Sequence, residues 1–157
     1  MPLPEAARRL CDAHALMPHP EGGWFRETWR AGLTVPTPWG ERPAGTSILY
    51  LLTGGQVSRP HRLRQDEIWL FQAGTGLLLH LFAPQGRHVV HRLGPEHTLQ
   101  VAVPAGVWMG AETDGGWGLV GCACAPGFEF DDLTFAARAD LLADWPAAAA
   151  TIERLLS

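Results

Sequence analysis

Turn-forming residues recur along this sequence at a spacing that leaves room for strands and little else. Gly54-Gly55, Gly74-Thr75-Gly76, Pro84-Gln85-Gly86, Gly94-Pro95, Pro104-Ala105-Gly106 and Asp114-Gly115-Gly116 each carry the Gly or Pro that a tight reversal needs. The runs between them are short and suit a pleated surface: 46–53 (TSILYLLT), 67–72 (EIWLFQ), 77–83 (LLLHLFA), 87–93 (RHVVHRL), 99–103 (LQVAV), 107–112 (VWMGAE) and 117–124 (WGLVGCAC). Short strands between regular turns predict an all-β sandwich or barrel.

The ends of the chain differ from this body. Residues 4–13 have the composition of a short helix, with Pro4 at its start. The stretch 15–23 (ALMPHPEGG) reads as a loop, 24–29 (WFRETW) as a strand, and 31–45 as a Pro- and Gly-rich loop. After Pro126-Gly127, residues 133–143 and 147–156 take helical spacing, interrupted at Trp145-Pro146. One domain is expected over 1–157, with a β-body over about 22–125 and a helical tail over about 133–156.

Composition narrows the function classes. All 12 cationic side chains are Arg, the net charge is −4, and no basic run forms a stripe, so a nucleic-acid partner is not expected. Cys11, Cys122 and Cys124 are too few and too oddly spaced for a disulfide framework, and they read as small buried residues. The N-terminus lacks an apolar stretch of signal-peptide length, and nothing is long enough to span a membrane. A cytoplasmic protein without a membrane partner is expected.

One stretch carries the chemistry: residues 55–74, GQVSRPHRLRQDEIWLFQAG. The order Gly55, His61, Glu67, Gly74 resembles the first cupin motif, which has a Gly, two His one residue apart, a Glu and a Gly. Pro104-Ala105-Gly106 resembles the second motif, with Met109 standing where that motif has a third His. The resemblance implies a three-nitrogen, one-oxygen site suited to Fe, Mn, Ni, Cu or Zn. Here Leu63 and Met109 fill two of the four positions. Leucine cannot coordinate, a thioether is a soft ligand, and two protein ligands rarely hold a metal tightly. No cofactor and no metal site are therefore expected, with a divalent ion at His61 and Glu67 as the alternative. A buried imidazole hydrogen-bonded to Glu67 is the plain structural role for His61.

Five ordered blocks resemble a narrower group, the small "cupin five" proteins: PHPEGGWFRETWR (18–30), TSILYLLT (46–53), HRLRQDEIWLFQAG (61–74), VPAGVWMGA (103–111) and GLVGCACAPGFEFDD (118–132). The resemblance implies a jelly-roll barrel similar to sugar-nucleotide epimerases and seed-storage domains. It also implies a homodimer, and it implies no particular reaction. Many members of that group carry His where Leu70 stands and Gln where Met109 stands, so a more apolar pocket is expected here.

Other side chains complete the candidate set. His19 and Glu21 lie in the PHPEGG loop, placed to contact a ligand at the barrel mouth. Arg26 and Glu27 read as a salt-bridged edge strand. Trp69 and Phe71 share a face with Glu67 on a regular strand, while Trp108 and Met109 point to opposite faces. The expected ligand-binding residues are His19, Glu21, Leu63, Trp69, Phe71 and Met109, around the catalytic candidates His61 and Glu67. Arg59, Arg62 and Arg64 are expected in solvent. His80, His88, His91 and His97 share no ligand spacing, and neither Ser47 nor Ser58 sits in a Gly-x-Ser-x-Gly elbow.

Two functions follow as expectations. The first is a barrel that binds a small, partly apolar ligand. The second is a metal-independent isomerase or epimerase acting on a carbohydrate-like substrate, with His61 as base and Glu67 orienting it. A metal-dependent oxygenase would need the histidines that are missing.

Overall fold

A computed structural model describes residues 3–157. Helix α1 (Glu5–His14) is followed by β1 (Met17–Pro18), β2 (Trp24–Arg30), β3 (Thr34–Thr37), β4 (Gly40–Pro43), β5 (Thr46–Thr53), β6 (Val57–Leu63), β7 (Asp66–Gly74) and β8 (Leu77–Ala83). Then come β9 (Arg87–Leu93), β10 (Gln100–Val103), β11 (Trp108–Thr113), β12 (Trp117–Ala125), β13 (Leu133–Phe135), α2 (Arg138–Asp144) and α3 (Ala149–Leu155).

The strands form a jelly roll of two sheets. The six-stranded sheet runs β1-β2-β5-β12-β7-β10, the five-stranded sheet runs β13-β6-β11-β8-β9, and β3 and β4 make a separate hairpin. Alternation sends every second side chain inward. Tyr50, Leu52, Trp69, Val101, Val103, Val120, Cys122 and Cys124 from the larger sheet meet Leu63, Leu77, Leu79, Leu81, Leu93, Met109 and Ala111 from the smaller one. Each fully buried Leu of this core contributes about 1.5–3 kcal/mol.

Helices close the outer faces. Ala7 and Leu16 cover Leu51 and Leu119 on the outside of the larger sheet. On the other side, Phe82 packs with Leu141, Trp145, Ile152 and Leu155 from the C-terminal helices. A polar chain fastens α3. Arg154 donates to Glu112 at 2.7 and 2.8 Å, and Glu112 Oε1 lies 3.1 Å from His80 Nε2. His80 Nδ1 then meets His88 Nε2 at 3.0 Å. His80 is thus a buried strand residue, served on both nitrogens.

Three segments depart from the expected pattern. Two residues of the 15–23 loop, Met17 and Pro18, pair with Phe25 and Trp24. The 31–45 loop contains the β3–β4 hairpin, which Arg42 pins by donating to both carboxylate oxygens of Asp132 at 2.8 and 2.7 Å. The helix expected from 133 starts only at Arg138, because Leu133, Thr134 and Phe135 pair with Leu63, Arg62 and His61 along the edge of β6. Over three residues, a free strand edge outweighs helical spacing.

Candidate functional site

Two cross-strand rungs of the larger sheet build one wall of a cavity. Glu27, Ile48 and Cys122 are neighbours across β2, β5 and β12, in a rung that ends on Trp69 of β7 in the core behind. Arg30, Thr46, Cys124 and Glu67 form the next rung. Opposite them β6 presents His61 and Leu63, and β13 places Leu133 beside Leu63. The loop before β2 contributes His19 and Glu21, and the segment after β12 contributes Phe128, Glu129 and Phe130. The cavity enclosed by these side chains is small, about 60 Å³, and it opens to solvent at its mouth.

The loop carrying His19 and Glu21 is held by its glycines. Gly22 has φ +110°, and a Cβ there would lie 2.0 Å from the Val57 carbonyl oxygen. Gly23 has φ +72°, and its Cβ would lie 2.6 Å from the Leu51 oxygen. Both are backbone contacts, so neither relaxes by a rotamer change. Gly22→Ala is expected to cost more than about 1 kcal/mol. Urea denaturation should show that loss, and the amide resonances of the 19–23 loop should shift; an unchanged midpoint would contradict the packing described.

Glu21 and His61 lie in close contact inside the barrel. His61 Nδ1 lies 2.7 Å from the Arg59 carbonyl oxygen, which only accepts, so Nδ1 carries hydrogen. His61 Nε2 lies 3.1 Å from Glu21 Oε2. Ser58 donates to the other Glu21 oxygen at 2.9 Å. His19 Nδ1 accepts the Glu21 backbone N–H at 3.1 Å, so its ring is neutral with hydrogen on Nε2. Burial lowers the His19 pKa, against the opposing charge of Glu21.

Glu67 is different. It is 7 % exposed, and no cationic side chain pairs with it among the described residues. Trp69 Nε1 donates to its Oε2 at 2.9 Å, and the Cys124 thiol lies 3.9 Å from its Oε1. Burial pushes its pKa up to about 7, against the pull of His61 and with the repulsion of Glu21 added. Burial also raises Cys122 and Cys124 far above the usual thiol range, so both stay protonated.

At the mouth, Arg30 donates to Glu27 at 2.8 and 2.9 Å and to Glu129 at 2.6 Å. The ion pair on β2 is therefore Arg30–Glu27. Arg26 instead donates to the His14 carbonyl at 3.2 Å.

Of the candidates read from sequence, His19, Glu21, Leu63, His61 and Glu67 meet at this cavity. Trp69, Phe71 and Met109 do not line it. Trp69 and Met109 are each 1 % exposed in the core behind it. Phe71 packs on that core too, at a bulge where β7 slips against β12. The hydrogen bond expected from His61 to Glu67 is not made: His61 Nδ1 bonds the Arg59 carbonyl oxygen, and its Nε2 lies 3.1 Å from Glu21 Oε2. The sequence reading also missed Phe25, Ile48, Phe128, Phe130 and Leu133 as cavity walls. Cys122 and Cys124, expected as small buried residues, also line the cavity. Their spacing of two, on a strand that pairs with β7, was the one available signal.

The donor set does not suit the metal that the cupin motifs imply. Leu63 offers no lone pair, Met109 is buried behind the cavity, and both His61 nitrogens have protein partners. Among the described residues no three His, Cys, Asp or Glu side chains are arranged to hold an ion.

A two-sheet jelly roll with its cavity between β6 and β7 defines a cupin. The chain belongs to the family Cupin_5 of the cupin superfamily (DUF985), whose profile matches residues 8–136. It is similar to an uncharacterised protein of Saccharomyces cerevisiae, at 30 % identity over 86 % of this chain and 79 % of the other. Among solved structures, a Shewanella oneidensis protein shares 34 % identity with a TM-score of 0.87, covering 95 % of this chain and 96 % of that one. A hypothetical protein from Leishmania major shares 32 % identity with a TM-score of 0.86, covering 94 % and 97 %. A cupin-2 domain from Rhodospirillum rubrum shares the fold, at 17 % identity and a TM-score of 0.62, covering 90 % and 84 %.

Proposed function

We propose that this cupin binds a small, partly apolar organic molecule in the cavity over Glu67, without a catalytic metal. The carrying observation is a concave site with apolar walls and one buried, unpaired carboxyl at its base, the usual form of a small-molecule site. The Trp69 indole N–H, bonded to Glu67, is a built-in reporter. Titrating benzyl alcohol is expected to shift that resonance in a ¹⁵N–¹H spectrum. Ile48→Trp, which fills the cavity from its wall, should abolish the shift while cooperative unfolding is retained. A shift that survives Ile48→Trp would place binding elsewhere.

A second reading is metal-independent proton transfer, as in an isomerase or epimerase acting on a carbohydrate-like substrate. A carboxyl titrating near pH 7 favours it. In that reading Glu67 takes the role expected of His61, whose nitrogens are both engaged. Wash-in of solvent deuterium next to a carbonyl, lost in Glu67→Gln, would be its signature.

The same reading takes the protein as a cytoplasmic homodimer without nucleic-acid or membrane partners. Its supports are three free cysteines, a lack of any helix long and apolar enough to cross a membrane among the described residues, and Ile68 and Leu99 left 42 % and 54 % exposed near the β7–β10 edge.

A further inference from the structure

We propose that the ligand of this cavity is a small organic cation, a primary or secondary ammonium on an apolar body, whose N–H groups donate to Glu67. This rests on the small-molecule reading above and adds the charge and chemical class of the ligand.

The charged side chains lining the cavity, His aside, are Glu21, Glu27, Glu67, Glu129 and Arg30. Arg30 is spent: all its donors that reach the mouth go to Glu27, Glu129 and the Phe128 carbonyl. Glu21 has His61 Nε2 at 3.1 Å and accepts from Ser58. Glu27 and Glu129 share the one Arg30, and Glu67 alone among these carboxylates has no cation paired with it. A carboxylate offers about four lone-pair sites. Glu67 receives one indole N–H and a long thiol contact, which leaves acceptor capacity facing the cavity.

Ligand charge follows by elimination. An anion would meet Glu67 and Glu21 with no free cation to receive it, and repulsion inside a poorly hydrated site is costly. A neutral carbonyl or hydroxyl would leave the Glu67 charge uncompensated whenever that group is ionised. An ammonium supplies both the counter-charge and the donors, in the charge-assisted form that is the stronger kind of hydrogen bond. The walls suit the rest of such a molecule. Phe25, Ile48, Leu63, Phe128 and Leu133 surround the carboxyl with apolar surface. Phe130 stands half-exposed at the mouth, with ring centroids 5.1 Å from Phe128 and 6.4 Å from Phe25. A cluster of aromatic faces on the way in favours a cation.

Ionisation of Glu67 couples binding to pH. The groups facing it are His61 from β6, Glu21 from the loop before β2, and Cys122 and Cys124 from β12. Both thiols stay neutral across the accessible range. An ammonium is expected to bind tightly above pH 7 and to weaken about tenfold per unit below it, as the carboxyl takes up a proton.

The test uses three probes with one ring: benzylammonium, benzyl alcohol and benzoate, read through the Trp69 indole N–H at about pH 8. Benzylammonium is expected to bind at least about tenfold more tightly than benzyl alcohol, with benzoate the weakest. Glu67→Gln should erase the gap between ammonium and alcohol. Should that variant fold poorly, the pH series on the unaltered protein gives the same answer, because only the ammonium affinity should fall with pH. Equal or tighter binding of the alcohol, or preference for benzoate, overturns the cation and leaves a small-molecule cavity standing. No response to any of the three overturns the cavity reading as well.

Discussion

Truncating Trp69 to alanine is expected to remove about 3–5 kcal/mol of stability. The side chain is 1 % exposed and lies edge-on to Tyr50, with ring centroids 5.8 Å apart. It fills the space between the two sheets just behind the cavity, where no neighbour is free to collapse inward. Its loss also strips the indole N–H from Glu67. Trp69→Phe separates the two effects. It keeps most of the ring volume and removes the donor, so about 1–3 kcal/mol is expected for the orphaned oxygen together with the smaller ring. Because the indole bond holds the Glu67 pKa down, the carboxyl should also titrate higher in Trp69→Phe. Urea denaturation of both variants checks the ordering. An alanine variant within about 1 kcal/mol of the parent would show that Trp69 is not a structural wedge.

The β-body was legible because its turns are written in Gly and Pro, and a strand between two such turns has few alternatives. Tyr50, Trp69 and Val120 then fall inward by alternation alone. Elements that depend on a distant partner were not legible. Leu133–Phe135 is a strand only because β6 leaves an edge open, and β3–β4 holds its place partly through Arg42 and Asp132, far apart in sequence. The site divides in the same way. His61 and Glu67 stand out through motif spacing, and Glu21 through a loop of turn residues. The pairing of His61 with Glu21 depends on how that loop folds over β6, which no local spacing encodes. Phe71 shows the reverse failure: alternation rightly turns it inward, in register with Val120, but it packs on the core a rung beyond Trp69, where the cavity does not reach.

Glu67→Gln is expected to make the protein more stable at pH 8, and little changed near pH 4.5. The carboxyl titrates near 4.5 in the unfolded chain and at about 7 when folded, so the native state holds its proton more tightly. Between those values the unfolded chain has already lost a proton that the native state keeps. The stability tied to this group is therefore fully present below 4.5, falls as pH rises, and is gone above 7. The span corresponds to about 3 kcal/mol, the cost of leaving a charge in an apolar enclosure that the nearby His61 offsets only in part. Glutamine keeps the shape and can still accept from Trp69, but it carries no charge to desolvate. Its advantage should thus grow with pH between 5 and 8 and then level off. Unfolding free energies of the two proteins across that range give the result directly, and a difference that stays flat with pH would mean Glu67 is ionised and compensated in the native state throughout. A chain that keeps Glu67 instead of the more stable Gln carries an uncompensated charge, and in the proposed function a ligand relieves it, so that one residue is both the binding group and a weak point in the fold.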